Sequence, residues 1–169
     1  MPHVIDRLAA LRVADVMARE VRTVGKNQTM SEIAADWVEN GLTSAPVVEE
    51  LGHCVGVGSA SDFVKRANRI QRSGDGGSAT SDEQTSHPYR CAPLADDYVS
   101  HHMTDAVQTI HPAESLLQAA RVMCAEHIHR LLVVDPQGHP VGVVSTMDVV
   151  AATVNVVDEM DEEMQRGES

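Results

Sequence analysis

Aromatic side chains are scarce in this chain. Trp37, Phe63, Tyr89 and Tyr98 are the whole set in 169 residues, so a core must be built from Val, Leu, Ile, Ala and Met. Positive charge is also short. Lys and Arg number 13 against 25 Asp and Glu, for a formal net charge of −12. That balance argues against nucleic acid as a partner, because phosphate backbones require Lys/Arg surfaces. It also means that any anion site needs its own local positive groups. Three cysteines, Cys54, Cys91 and Cys124, show no paired close spacing. An odd count of this kind fits a reducing compartment rather than a disulfide framework. No apolar run approaches the ~20 residues that span a bilayer. The first turns carry Asp6, Arg7, Arg12 and Asp15 with no apolar signal-like core. The expectation is a cytoplasmic protein with no membrane and no nucleic-acid partner.

What the chain does have is a repeat. Leu131–Val134 and Val141–Val144 are two apolar β-branched runs joined by Pro136-Gln137-Gly138, a turn in which Pro fixes φ and Gly takes a positive one. Ser145-x-x-Asp148 follows, a helix-start signature. Val47-Val48, Gly52-His53, Val55-Gly56-Val57 and Ser59-x-x-Asp62 repeat this at a constant offset of 86. Met17/Met103, Val21/Val107, Thr23/Thr109 and Ala34/Ala120 extend the match without a gap. Two copies of one β-α-β-β-α unit can bury apolar sheet and helix faces that one copy would leave open.

The periodicities place the elements. Residues 3–17 read as an amphipathic lead helix, and Val21–Val24 as a short strand. Thr29–Asn40 is a helix with Met30, Ile33, Ala34, Trp37 and Val38 inward and Gly41 as its stop. Ala45–Val48 and Cys54–Val57 are strands, and Ser61–Arg69 is a helix. In the second copy, Val107–Ile110 is a strand and Glu114–Glu126 a helix with Leu116, Leu117, Ala120 and Met123 inward. A last helix from Thr146 runs toward Asp158–Glu163, a solvated end expected to fray. Ser73–Ser86 lacks apolar periodicity and reads as a flexible linker. The resulting division is 10–69, a linker at 70–98, 99–157 and an acidic tail at 158–169.

Several motifs are missing. There is no G-x-S-x-G, no P-loop and no G-x-G-x-x-G at a strand–helix junction. The chain is therefore not expected to be an enzyme. Ser59-x-x-Asp62 and Ser145-x-x-Asp148 have two readings. One is a capping box alone. The other is a ligand site, since a carboxylate offers two acceptors to the two donors of a cis-diol, and a helix N-terminus suits phosphate. His129-Arg130, replaced by Thr43-Ser44 in the first copy, is either a solvated helix end or a phosphate fork. His87, Cys91, His101, His102, Cys124, His127 and His129 raise a metal reading, but their scattered spacing favours core Cys and surface His.

These motifs, M-T-x-x-x-x-T-I-x-P, a helix with A-A-x-x-M, and H-R-L-L-V-V-D-x-x-G-x-x-V-G-V-V-S-x-x-D, resemble a tandem pair of cystathionine-β-synthase (CBS) domains, a Bateman module. The resemblance covers about residues 10–69 and 99–155. It implies an α/β (α+β) fold of two β-α-β-β-α repeats packed sheet to sheet with pseudo-two-fold symmetry. It further implies a homodimer that binds AMP, ADP, ATP or S-adenosylmethionine in clefts between the repeats and regulates a partner protein. No such ligand would be obligatory for the chain. By resemblance, Asp62 and Asp148 take the ribose, and Ser59 and Ser145 with the helix starts meet phosphate. Thr23 and Thr109 line the adenine slot, with Val57 and Val143 as its walls. His129 and Arg130 meet phosphate, while Ala45, Pro46 and Leu131 lie along the same slot. Leu132 stands where the family usually has Pro, as at Pro46. An interaction module without nucleotide is the alternative, and a metal-responsive protein a weaker one.

Overall fold

The computed structural model describes residues 4–73 and 97–167. Of the linker expected at 70–98, residues 74–96, with His87, Tyr89 and Cys91, lie outside the described residues, whereas 70–73 are helical and Asp97 is buried. The chain is a mixed α/β protein with two three-stranded sheets and six helices. Of the described residues, 4–22, 52–54 and 107–167 form one compact unit, and 23–51, 55–73 and 97–106 form another.

The first unit carries the second repeat. Its strands are β4 (Thr109–Ile110), β5 (Arg130–Val134) and β6 (Pro140–Ser145), in the order β4-β5-β6. β4 pairs parallel with β5, Thr109 opposite Leu132. β5 pairs antiparallel with β6, Arg130 opposite Ser145 and Leu132 opposite Val143. The turn between them forms as its residues dictate. Gly138 has φ 86°, and the Asp135 carboxylate accepts from the Gln137 and His139 backbone N–H groups at 2.9 and 2.8 Å. The His139 backbone donor is the largest reason that Asp135 titrates below the usual carboxylate range. Two helices, α5 (Leu116–Ala125) and α6 (Thr146–Gly167), cover one face of the sheet. Val13, Ile110, Leu116, Ala119, Met123, Leu131, Val133, Val144 and Ala152 are the buried core. Leu117, expected inward, is 43% exposed, because Leu116, Ala119 and Met123 set the buried stripe and a one-residue step turns a side chain about 100° away.

The segment that leads into the first repeat completes this unit. It is not one helix over 3–17 but two short ones, α1 (Val4–Ala10) and α2 (Val13–Val16). At the break, backbone donors and acceptors turn to the loop before α5. Leu116 N–H donates to Leu11 O at 2.9 Å, Val13 N–H to Glu114 O at 2.9 Å and Ala14 N–H to Pro112 O at 3.0 Å. That same loop delays α5, which starts at Leu116 rather than Glu114, with Ser115 as N-cap. Ala18 then bridges Val143 through two backbone hydrogen bonds of 3.0 and 2.9 Å, extending the sheet beyond β6.

The second unit carries the first repeat: β1 (Val24–Gly25), α3 (Met30–Asn40), β2 (Ser44–Val48), β3 (Cys54–Ser59) and α4 (Ala60–Ser73). β1 pairs parallel with β2, and the sheet order is β1-β2-β3. The strand expected at Val21–Val24 is shorter and later, and Thr23 precedes it. Helix α3 starts on a full capping box. Glu32 N–H donates to Thr29 Oγ1 at 3.3 Å, and Thr29 N–H returns to Glu32 Oε2 at 2.7 Å, which lowers the Glu32 pKa. The helix ends on Gly41 in the left-handed region. Met30, Ile33 and Trp37 are buried, whereas Val38 is 84% exposed. A 3-10 turn at Val99–His101 continues to Thr104, which bridges Val57 by two backbone hydrogen bonds of 3.0 Å. This is the counterpart of Ala18 on Val143.

Each lead segment thus lies on the other repeat's sheet, and a glycine in each unit admits it. A Cβ at Gly142 would meet Met17 Sδ at 2.7 Å and Ala18 O at 2.9 Å. One at Gly56 would meet Met103 Sδ at 2.5 Å and Thr104 O at 3.1 Å.

Candidate functional site

Each repeat's predicted ligand residues fall in one unit: Thr23, Ala45, Pro46, Val57, Ser59 and Asp62 in one, Thr109, His129, Arg130, Leu131, Val143, Ser145 and Asp148 in the other. Their positions within each unit differ in what they offer. Ala45 and Leu131 are core residues, at 2% and 0% exposure, so only their backbones face outward. Pro46 is likewise buried. Thr109 is exposed at the head of β4, an edge strand of its sheet. Thr23 is exposed just before edge strand β1. Val57 and Val143 are half-buried under the lead segments.

At Asp148 the capping box forms. Ser145 N–H and Oγ–H both donate to Oδ2 at 2.7 Å, and Asp148 N–H reaches Ser145 Oγ at 3.3 Å. Oδ1 has no partner among the described residues. Arg130, exposed, is the cross-strand neighbour of Ser145. Directly opposed residues share a sheet face, so a guanidinium stands beside the start of α6, where the helix dipole also favours anions. His129 is exposed, and its carbonyl accepts from Thr146 N–H at 3.0 Å, tying the strand start to the helix start. Capping and an open acceptor therefore coexist on one carboxylate, and the two readings of the motif are not exclusive.

At Asp62 the same anchor appears, with Ser59 N–H and Oγ–H on Oδ2 at 2.8 Å. Here Oδ1 is also taken, by Lys65 Nζ at 3.0 Å, and Asp62 is 2% exposed.

Two groups of residues outside these motifs also come together. Arg66 and His102 both contact the buried Asp97, His102 Nε2 lying 2.5 Å from Oδ1 and Arg66 forming an ion pair with Oδ2. The sequence gives no periodic signal for an Arg and an Asp 31 positions apart, and His102 stood only in the metal reading. Cys124, His127 and His129 from that reading line a cavity of about 610 Å³ with Ala120, Met123, Ile128, Thr146, Val149 and Val150. Among the described residues no three His, Cys, Asp or Glu converge as a metal site.

With this geometry established, comparison with known proteins decides the family. The CBS domain profile matches residues 13–69 and 96–155. The chain belongs to the CBS domain family. It carries two such domains, a CBS pair. Known structures share the fold. A structure of CBSX2 in complex with AMP superposes with a TM-score of 0.65 at 22% identity, over 87% of this chain and 98% of that one. The CBS domain of a bacterial CNNM/CorC family Mg2+ transporter in complex with ATP gives 0.66 at 21% identity, over 90% and 93%. The CBS pair of protein MJ0100 with 5′-methylthioadenosine and S-adenosyl-L-methionine gives 0.60 at 21%, over 83% and 93%. Among curated proteins, two uncharacterized proteins of Methanocaldococcus jannaschii are 26% identical over 146 residues and 27% over 119, covering 86% and 70% of this chain. The CBS pair spans 40% and 23% of their lengths. No described helix of this pair is long and apolar enough to cross a membrane.

Proposed function

We propose that this CBS pair is a regulatory, non-catalytic module of the cytoplasm that binds an adenosine-containing ligand, AMP, ADP, ATP or S-adenosylmethionine, and signals its occupancy to a partner protein. The observation that carries the reading is Asp148. Its carboxylate is held in place through Oδ2 and keeps Oδ1 open for a ribose diol, beside the α6 N-terminus and Arg130. In this reading Arg130 and Ser145 meet phosphate, His129 supports them, and edge strand β4 at Thr109 pairs with the adenine. The complexes of related CBS pairs with AMP, ATP and S-adenosylmethionine support the ligand class. Signalling then requires that the ligand favour one conformation over another, and the shift is bounded by that difference in affinity.

Calorimetric titration with AMP, ADP, ATP and S-adenosylmethionine tests the proposal. Asp148→Asn removes the charge from the diol acceptor and is expected to weaken binding by roughly 1.5–3 kcal/mol, the scale of a hydrogen bond to a charged group. Unchanged affinity would remove Asp148 from the site.

A second reading, an interaction module that pairs with a second copy, draws on the apolar cavity between α5 and α6 and on exposed Met147, Val150 and Val154 along α6. Thermal melting separates the two. A nucleotide bound only by the folded state raises the melting temperature, whereas a pairing module responds to protein concentration alone.

A further inference from the structure

We infer that Lys65 closes the diol acceptor of the first repeat, so that the chain takes up one adenosine ligand, at Asp148. This rests on the proposed reading of the two Ser-x-x-Asp motifs.

The two carboxylates are anchored alike and differ in their second oxygen. Asp62 Oδ1 accepts from Lys65 Nζ at 3.0 Å, while Asp148 Oδ1 has no partner among the described residues. The exposures agree: Asp62 is 2% exposed and Asp148 half-buried. One residue accounts for the difference at the second oxygen. Lys65 lies three positions after Asp62 on α4, the spacing at which helix side chains meet. The corresponding position on α6 is Ala151, whose methyl group offers no donor. A cis-diol binds a carboxylate by giving it two hydrogen bonds. At Asp62 it would have to displace a charge-assisted bond from an ammonium, stronger than the neutral bonds a sugar can return. At Asp148 it displaces no protein group. The repeats also differ in cations at the strand start, Arg130 against Ser44, which favours the same site for an anionic ligand.

The Lys65 side chain is 66% exposed, so its replacement opens no cavity in the core. Ala151 is exposed as well and tolerates a longer side chain. Both substitutions can therefore be read on the full folded chain, with melting curves to verify folding. Calorimetry with AMP, ATP and S-adenosylmethionine in turn is expected to give about one site per chain. Lys65→Met, which keeps the stem and removes the ammonium, is expected to raise this to about two, with the new site lost again in a Lys65→Met, Asp62→Asn double variant. Ala151→Lys places the same cover over Asp148 and is expected to weaken binding about tenfold, equivalent to about 1.4 kcal/mol. Two equal sites in the unaltered chain, no second site in Lys65→Met, or wild-type affinity in Ala151→Lys would each overturn the role of Lys65 while leaving ligand binding at Asp148 standing. No binding of any of the three ligands by any of these proteins would overturn the proposed function as well.

Discussion

His127 sits at φ 53°, the left-handed conformation that Gly41 adopts at φ 63° in the equivalent place of the first repeat. Both residues follow a helix whose chain must turn back toward the next strand. Gly does this without a Cβ penalty, whereas a side chain there costs roughly 1–2 kcal/mol. His127→Gly is expected to stabilise the protein by about 0.5–1 kcal/mol, the relief being partly offset by the freedom glycine gains in the unfolded chain. Urea denaturation checks this, and a loss of stability would mean that the imidazole contributes packing at the cavity it lines. At this scale the sequence was informative where chemistry is local. The bonds from Ser145 to Asp148 follow from a three-residue spacing. The Lys65 contact to Asp62 has an equally local spacing, yet a lysine on a helix is usually solvated, and nothing but geometry reveals that its partner is buried. The Arg66–Asp97–His102 cluster was not legible at all, since it is formed by tertiary approach.

Helix α6 carries the acidic end of the chain. The run toward Asp158–Glu163 read from the sequence is helical, and the helix continues to Gly167. Arg7 on α1 holds it, with its guanidinium on both oxygens of Glu163 at 2.7 and 2.8 Å and near Glu159 at 3.5 Å. The hydrogen bond to Glu163 is also the main reason that the Arg7 pKa rises. Arg7→Ala is expected to leave the melting temperature nearly unchanged, because exposed ion pairs contribute little to global stability. It should nonetheless speed amide hydrogen exchange at residues 159–166, where the last turns lose their tether. Equal exchange in both proteins would assign the helix length to its own propensity. The break between α1 and α2 has the opposite origin. The residues favour one helix over 3–17, but the backbone around Arg12 is claimed by the loop before α5.

The whole molecule is organised by an exchange of lead segments. The residues preceding the first repeat complete the sheet of the second, and those preceding the second complete the sheet of the first. Val13, fully buried, belongs to the core of Ile110, Leu131 and Val144, although it lies nearer in sequence to Val24. Val13→Ala is expected to destabilise the protein by about 2 kcal/mol, within the range for core truncation. Faster amide exchange is expected in β4–β6 before β1–β3. Loosening of β1–β3 first would contradict the exchanged arrangement.

The sequence by itself determined the repeat, its strands and helices, the turn glycines and the pairing of each serine with its aspartate, because these depend on interactions within a few residues or on periodicity that burial imposes. Met17, Met103, Gly56 and Gly142 were visible as matched pairs, and only the folded chain shows that Met17 meets Gly142 and Met103 meets Gly56. Tertiary structure alone decided which sheet each lead segment joins, how far α6 runs and which aspartate keeps an open oxygen. Contacts between residues far apart in the chain resolve the first two choices, whereas the open oxygen turns on Lys65, three residues from Asp62, a lysine whose contact with a buried carboxylate only the fold shows.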